Sequence, residues 1–261
     1  MFGPIAVPAL DAAALPFLRK CHSLVTTISS SRNHHNDESS CNDSNNGNGG
    51  DGAAVPPHLL IEQLVIKKLT FLFLQNVVSH GATSLLLSSS NIQSLEDVLN
   101  TMNDGATSEI HDAVVKKSCV VFFRDLIDQW SGEEVGGSER ESLSSPNIPR
   151  AGFLRFIYDV FLPSAMQCIL QKTFNEKDAM HYRVICEVGK TLAALKLKRG
   201  HVEWEEQFVS RTLSGMVTTV VAPQPATCPS QSDVIAAFRN ASNPKEMEIC
   251  LKNMIAVLKN R

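Results

Sequence analysis

The pattern of apolar and polar positions is most regular in a stretch about two thirds of the way along the chain. Tyr182, Ile185, Val188, Leu192 and Leu195 recur at intervals of three and four residues, and most of the charged residues lie on the opposite side. This spacing places the apolar side chains on one face of an α-helix. Because such a helix has to bury its apolar face, the pattern predicts a long helix packed against neighbouring helices.

Two shorter apolar segments precede this helix and complete a unit at residues 150–200. The pattern predicts a helix in each segment, and Pro163 lies between them. Because an internal proline removes a backbone donor and disfavours helix at the residue before it, we predict a sharp bend there. The apolar positions of the two segments are Phe153, Phe156, Ile157, Val160 and Phe161, then Met166, Ile169, Leu170 and Phe174.

The rest of the chain shows more of the same helical pattern. Strand-like sequence is nearly absent and is confined to residues 217–221. Soon after residue 57, the run LTFLFLQNVV is apolar on nearly all sides, which predicts a central position in a stack of helices. Besides the unit at 150–200, helices are predicted at about 8–28, 58–79, 92–102, 109–130, 202–216, 234–240 and 244–258.

Helices of one to two dozen residues joined by turns, without heptads, are typical of helical repeat proteins. Successive pairs begin at irregular intervals of about forty residues, which favours the HEAT and armadillo class. We therefore predict an all-α fold, a right-handed superhelical α-solenoid of antiparallel helix pairs. Three parts are expected: residues 1–28 as the helix of an incomplete first repeat, 29–56 as a disordered Ser/Asn/Gly-rich insertion, and 57–261 as HEAT-like repeats with a flexible loop at 131–149.

Composition narrows the class of protein. The chain has 261 residues with 43% hydrophobic content, which is enough for a continuous core. Its formal net charge of −3 gives no overall attraction to nucleic acid, so RNA binding would need a local cluster of cations. Seven cysteines are scattered singly, which favours reduced thiols in an intracellular protein. The N-terminus lacks the basic region of a signal peptide, and no apolar run approaches the length of a membrane span, so no membrane insertion is expected.

No group of residues predicts catalysis, a cofactor or a metal site. Gly189-Lys190-Thr191 matches the end of a phosphate-binding loop, but the first glycine of that motif would fall at Val184, and the triplet lies inside a predicted helix. The cysteines and histidines between residues 21 and 41 match no common zinc spacing. The carboxylates lie on polar faces with no nucleophile beside them. We therefore predict that the protein is not an enzyme.

Clusters of cations are the remaining candidates for functional residues. Each has an ordinary interpretation, as a solvated helix face or as cations that favour the C-terminal end of a helix dipole. Contact with nucleic-acid phosphates is the alternative, and both stay open at this point. The clusters are Lys67-Lys68, Lys116-Lys117, and Lys196 with Lys198 and Arg199.

Several collinear runs resemble the C-terminal helical repeats of the exportin-T family, the nuclear export receptors for transfer RNA. The runs are VKKSCVVFFRDLIDQW, GFLRFIYDVFLPSAM, LQKTF and CEVGKTLAALKLKRG, and the likeness extends in the same order over residues 57–261. The insertion at 29–56 departs from the family pattern, and no function is transferred to it.

The resemblance implies a function as well as a fold. Members of this family are importin-β-like receptors built from HEAT repeats, and they are not enzymes. They bind Ran-GTP and mature tRNA together in the nucleus, pass the nuclear pore and its nucleoporins, and release cargo in the cytoplasm. The expectation is therefore a shuttling receptor in nucleus and cytoplasm, without a cofactor or a small-molecule substrate. The repeats that carry the main Ran-binding surface of the family have no counterpart in this sequence.

The candidate RNA contacts are chosen by charge and position. We expect weak, salt-sensitive binding through the five cations Lys116, Lys117, Lys196, Lys198 and Arg199. The alternative function is a HEAT-repeat scaffold or a protein-cargo transport receptor without RNA binding. Cooperative binding of tRNA and Ran-GTP would separate the first function from the second.

Overall fold

Every regular element that the structure describes is a helix. The computed structural model describes residues 57–89, 91–131, 150–218 and 230–259, and within these ranges it contains no strand. The predicted all-α class is therefore confirmed. The predicted helix at 8–28, the insertion at 29–56 and nearly all of the loop at 131–149 lie outside the described residues.

The helices are numbered here in chain order. Helix α4 contains a π-helical stretch, Ile157–Phe161, between Arg150–Phe156 and Leu162–Leu170. Helix α6 joins a π-helical stretch, Trp204–Leu213, to Ser214–Thr218. The longer helices are α1 Pro57–Ser79, α2 Leu95–Thr107, α3 Ala113–Trp130, α4 150–170, α5 Ala179–Glu203, α6 204–218, α7 Gln231–Asn240 and α8 Pro244–Lys259. Two short 3-10 helices, Thr83–Leu85 and Ile92–Ser94, lie between α1 and α2.

Short polar residues fix where several helices begin. Asp112 caps α3 by accepting the Val115 N–H at 2.9 Å. Asp178 caps α5 by accepting hydrogen bonds from the N–H groups of Met180 and His181. Side-chain acceptors at these positions satisfy backbone donors that have no partner inside the helix. Helix α3 therefore begins at residue 113 and not at 109 as the apolar pattern alone predicted.

Helices α1, α3 and α5 lie side by side and run in the same direction. Lys68 in α1 pairs at 2.9 Å with Asp112 at the start of α3. At the other end, the Gln129 side chain of α3 donates to the carbonyl of Val78 at 3.0 Å. Helices α3 and α5 are joined in the same sense, because Arg124 pairs with Glu187 and, further along both helices, Arg199 donates to the carbonyl of Ser131.

Helices α2, α4 and α6 form a second layer that runs in the opposite direction. Phe153 at the start of α4 contacts Trp130 at the end of α3, with ring centroids 5.1 Å apart. Cys168 at the end of α4 lies 3.5 Å from the Lys116 side chain near the start of α3. The two layers therefore form stacked antiparallel helix pairs, as in a helical solenoid.

Gly105 lies inside α2, although the sequence pattern predicted that this helix would end at about residue 102. A Cβ atom at this position would lie 2.6 Å from the Cys119 sulfur and 2.8 Å from a ring carbon of Phe71. Helix α2 therefore continues to Thr107. The glycine allows α1, α2 and α3 to approach one another closely, and a helix can accept it because packing outweighs its low helix propensity.

The predicted separation of two helices at Pro163 is wrong, since helical structure continues through it. The π-helical stretch Ile157–Phe161 directly precedes the proline, and the Leu162 N–H donates to the carbonyl of Ile157 instead of to the residue four positions back. The wider turn accommodates a residue that lacks its own N–H. The break instead occurs at Gly200, where φ is 77° and ψ is 172°, values that only glycine adopts readily.

Because α4 is continuous, its apolar helix is longer than the apolar pattern of the sequence predicted. By length and composition, Gly152–Leu170 could cross a membrane, and 50% of its apolar window is buried inside the structure. The ring of Phe161 in this helix stacks on the ring of Phe123, with 4.1 Å between the two ring centroids. In this structure the segment is a core helix of the stack.

We expect the substitution Gly105→Ala to destabilise the protein. Overpacking against Cys119 and Phe71 should lower the free energy of unfolding by about 1–3 kcal/mol, even though alanine favours a helix. The measurement is urea denaturation followed by circular dichroism. Gly215→Ala in α6 is the matched control, because a Cβ there meets nothing within 4 Å. Equal stability of the two variants would contradict the packing role of Gly105.

Candidate nucleic-acid interface

Lys116 and Lys117 are neighbours in α3 but have different surroundings. The Lys116 side chain is buried, with the residue 4% exposed, and its Nζ lies 3.5 Å from the Cys168 sulfur of α4. Burial raises the pKa of the Cys168 thiol, and the nearby Lys116 partly opposes that rise. Lys117 is half-buried and forms no ion pair with a described residue. Only Lys117 of this pair faces a region that solvent reaches.

Lys196 serves as a C-terminal cap for helix α7. Its Nζ donates to the carbonyls of Arg239 and Ala241 at 2.7 and 2.6 Å, which lie at the end of that helix. Burial lowers the pKa of Lys196. The last carbonyls of a helix have no partner inside it, so a lysine here satisfies the backbone and the helix dipole together.

Arg199 is held by a carboxylate on the other side of the kink at Gly200. Its Nε and Nη2 donate to Glu203 at 3.0 and 2.8 Å. Its Nη1 donates to the carbonyl of Ser131 at 3.4 Å. The adjacent Lys198 is half-buried and forms no ion pair within the described part of the chain. The guanidinium of Arg199 therefore joins α5 to the end of α3.

The structure does not bring the five predicted cations into one site. Lys117 lies near the start of α3, whereas Lys198 lies near the end of α5, which runs parallel to α3. At a rise of 1.5 Å per residue, the two ends are roughly 20 Å apart. The buried position of Lys116 could have been found from the sequence, because residues 116, 120, 123 and 127 follow one helical stripe.

The structure shows a further group of cations, which do not stand out in the sequence. Lys172 and Lys177 are exposed in the turn between α4 and α5, and Arg183 is exposed in the first turns of α5. None of the three forms an ion pair with a described residue. Lys117 belongs to the same end of the stack, because the start of α3 contacts the end of α4. We call these four residues, Lys117, Lys172, Lys177 and Arg183, the basic end.

A cleft of about 480 Å³ lies between α4 and α6, close to the opposite end of the stack. Its lining includes Arg211, which pairs with Asp159 at 3.0 Å, and Arg199, which pairs with Glu203. Cations and carboxylates therefore balance one another in this cleft. Among the described residues, no three histidine, cysteine or carboxylate side chains are grouped to hold a metal ion.

Glu248 in α8 holds the C-terminal helix against α5. Its carboxylate accepts the Tyr182 hydroxyl at 2.6 Å and pairs with Lys252 at 2.9 Å. The Cys186 thiol and Lys245 also contact it, at 3.5 and 3.3 Å. The Lys252 ammonium and then the Tyr182 hydroxyl lower the pKa of Glu248 to about 2.

The region that contains helices α1 to α6 matches a known protein family. The family model of Exportin-T matches residues 60–222. The chain belongs to the exportin-T family. The resemblance noted in the sequence is therefore confirmed for residues 60–222, and this region contains the basic end and all five cations predicted from the sequence.

Curated relatives agree with this assignment. Exportin-T of Dictyostelium discoideum is 32% identical over 139 residues, which is 52% of this chain and 12% of that protein. Exportin-T of Phaeosphaeria nodorum is 27% identical over 154 residues, or 58% of this chain and 14% of that protein. Exportin-T of Mycosarcoma maydis is 28% identical over 141 residues, which is 54% of this chain and 12% of that protein. The chain thus spans a small part of the length of these relatives. No solved structure gives a significant match.

We expect Glu248→Gln to destabilise the protein at neutral pH by about 1–3 kcal/mol, because Lys252 loses a charged partner. The folded-state pKa of Glu248 is depressed, so its contribution is complete above about pH 4.5 and is lost as the pH falls toward about 2. Urea denaturation at several pH values should show the difference between the two proteins shrinking across that interval. The control Glu206→Gln changes an exposed carboxylate in α6. A difference that does not depend on pH would refute the role assigned to the carboxylate.

Proposed function

We propose that this chain forms part of a nuclear export receptor that binds tRNA together with Ran-GTP and carries it from nucleus to cytoplasm. The single observation that carries the proposal is the match of the exportin-T family model across α1 to α6. The proposed role is non-enzymatic, needs no cofactor and takes no small-molecule substrate. Nucleoporins are proposed partners during passage through the pore, in keeping with a protein that shuttles between the two compartments.

The distribution of charge supports phosphate contact at the basic end. Lys117, Lys172, Lys177 and Arg183 form no ion pair with described carboxylates, so binding an RNA phosphate would not require breaking one. Folded RNA is recognised largely through its shape and its backbone phosphates, which suits a stack of helices with cations at one end. With a net charge of −3, the chain is expected to bind weakly and with strong dependence on salt.

The five cations predicted from the sequence are expected to contribute unequally. Lys117 and Lys198 are proposed to make direct phosphate contacts, because both reach solvent and neither is paired with a described residue. Lys116, Lys196 and Arg199 are already bound to protein groups. A new contact from any of these three would first have to break an existing one.

A protein-cargo receptor or a HEAT-repeat scaffold remains the second candidate. The observation that favours it is that several cations, such as Arg124 and Lys196, join helices to one another. If the cations serve only to join helices, few of them are available to bind RNA phosphates. The two functions differ in their response to tRNA and Ran-GTP, which makes them separable.

We expect the double variant Lys177→Glu with Arg183→Glu to weaken tRNA binding. If both side chains contact phosphates, the slope of log K against log salt should become shallower by about 1–2 units. The measurement is filter binding of tRNA over a series of salt concentrations, with and without Ran-GTP. The control Arg155→Glu reverses the charge of a side chain that is 84% exposed near the opposite end of the stack.

Three outcomes are informative. A loss confined to the basic-end variant, together with tighter tRNA binding when Ran-GTP is present, supports the proposal. An equal loss in the Arg155→Glu control would show non-specific attraction and would remove the assignment to the basic end. Indifference to both tRNA and Ran-GTP would favour the scaffold.

A further inference from the structure

The cleft between α4 and α6 opens to solvent through two arginines. The formal charges of its lining balance, but solvent reaches the side chains to different extents. The side chains of Arg155 and Arg211 are 84% and 63% exposed, whereas that of Asp159, with which both pair, is 28% exposed. A ligand that enters this cleft therefore meets guanidinium groups before it meets the Asp159 carboxylate.

The two arginines keep hydrogen-bond donors in reserve. Arg155 contacts Asp159 only through Nε, at 3.4 Å. Arg211 uses only Nη1, which pairs with Asp159 at 3.0 Å and donates to Gln207 at 3.4 Å. The remaining N–H groups of both side chains have no partner among the described residues. Because a guanidinium presents its donors in a planar fork that matches a carboxylate, these groups suit a second carboxylate, supplied by a ligand.

A buried hydroxyl in the same cleft also lacks a partner. Tyr158 is 5% exposed and lines the cleft, and its Oη has no hydrogen-bond partner among the described residues. Burial and then the nearby Glu203 carboxylate raise the pKa of Tyr158, so its hydroxyl stays a donor. Both oxygens of Glu203, however, already accept from Arg199. A ligand carboxylate that takes a donor of Arg199 would leave a Glu203 oxygen for this hydroxyl, which removes the cost of an unpaired buried donor.

Apolar surface lies beside these donors. Val202 and Leu154 line the same cleft, and Val202 is 82% exposed. Arginine and tyrosine are enriched among the residues that dominate binding between proteins. A peptide can place an aliphatic side chain against Val202, whereas the sugar-phosphate backbone of RNA has none to offer. The combination therefore favours a protein ligand over a nucleic acid.

We propose that this cleft binds a segment of a partner protein in which one acidic side chain stands next to an apolar one. The acidic side chain binds Arg155 and Arg211, and the apolar side chain packs on Val202. Glu206 also lines the cleft, is exposed and forms no ion pair with a described residue. It repels a run of acidic residues, so the site selects a single carboxylate over an acidic tract. A cleft of about 480 Å³ accommodates a few side chains of such a segment.

The first experiment uses a library of short random peptides displayed on phage and selected against the full chain. The selected peptides should share one Asp or Glu beside Leu, Ile, Val or Phe. One of them is then synthesised with a fluorescent label and titrated by fluorescence anisotropy. The same peptide with its acidic residue replaced by the corresponding amide should bind at least about tenfold more weakly.

Substitutions in the protein locate the bound peptide. Val202→Ser should weaken binding at least about fivefold. Leu197→Ser is the matched control, because Leu197 is also 82% exposed but does not line the cleft, and it should leave binding unchanged. Circular dichroism and the thermal midpoint check that both variants stay folded.

A second pair of variants tests the arginines. Arg155→Gln combined with Arg211→Gln should weaken peptide binding at least about tenfold and remove the preference for the acidic peptide over its amide form. Lys177→Gln is the control, because it removes an exposed cation at the basic end of the stack. It should leave peptide binding unchanged.

Other results would overturn the proposal. Failure to select any peptide whose binding depends on Arg155 and Arg211 would show that the cleft does not take such a segment. Equal losses in Val202→Ser and Leu197→Ser would place the peptide elsewhere. If tRNA displaced the peptide, and Arg155→Gln with Arg211→Gln weakened tRNA binding as much as peptide binding, the cleft would be a site for RNA. None of these results bears on tRNA binding at the basic end, which is tested separately.

Discussion

The architecture depends on the burial of helix α3 between α1 and α5. Phe122 and Phe123 of α3 are completely buried, and the ring of Phe123 stacks on Phe161 of α4. Ion pairs on its two flanks, from Lys68 to Asp112 and from Arg124 to Glu187, join it to the neighbouring helices. Because α3 contacts both layers at once, removing its apolar side chains would open cavities that no single neighbour could fill.

Charged side chains in this protein have two kinds of role. Lys196 caps α7, Arg199 joins α5 to the end of α3, and Glu248 connects α5 with α8. Such groups contribute mainly by satisfying backbone carbonyls and partly buried charges. The cations of the basic end lack such partners among the described residues. A functional interpretation of charge therefore depends on which cations are already used within the fold.

Backbone irregularities allow the second layer to form. The π-helical stretch before Pro163 lets α4 continue past a residue that cannot donate a hydrogen bond. Gly200 does the opposite, since its positive φ ends one helical direction and starts another. The first feature keeps α4 long enough to span its layer. The second returns the chain along α4, where Arg211 of α6 pairs with Asp159.

The helical class, most helix positions and the family follow from the sequence, because apolar spacing and collinear motifs are local properties of the chain. The sequence also predicted which sides of most helices are buried. It misjudged Gly105 and Pro163, since a glycine or proline that ends a helix and one that is tolerated inside it have the same local signature. Which cations lack a partner among the described residues became clear from the packing of the helices. Lys116 faces Cys168 some fifty residues away, and Lys196 meets the end of α7. Packing of α3 against α4 places Lys117 at the same end of the stack as Lys172, Lys177 and Arg183. The sequence shows where the charged residues are. Whether a charged side chain already has a partner depends on contacts between residues that are far apart along the chain.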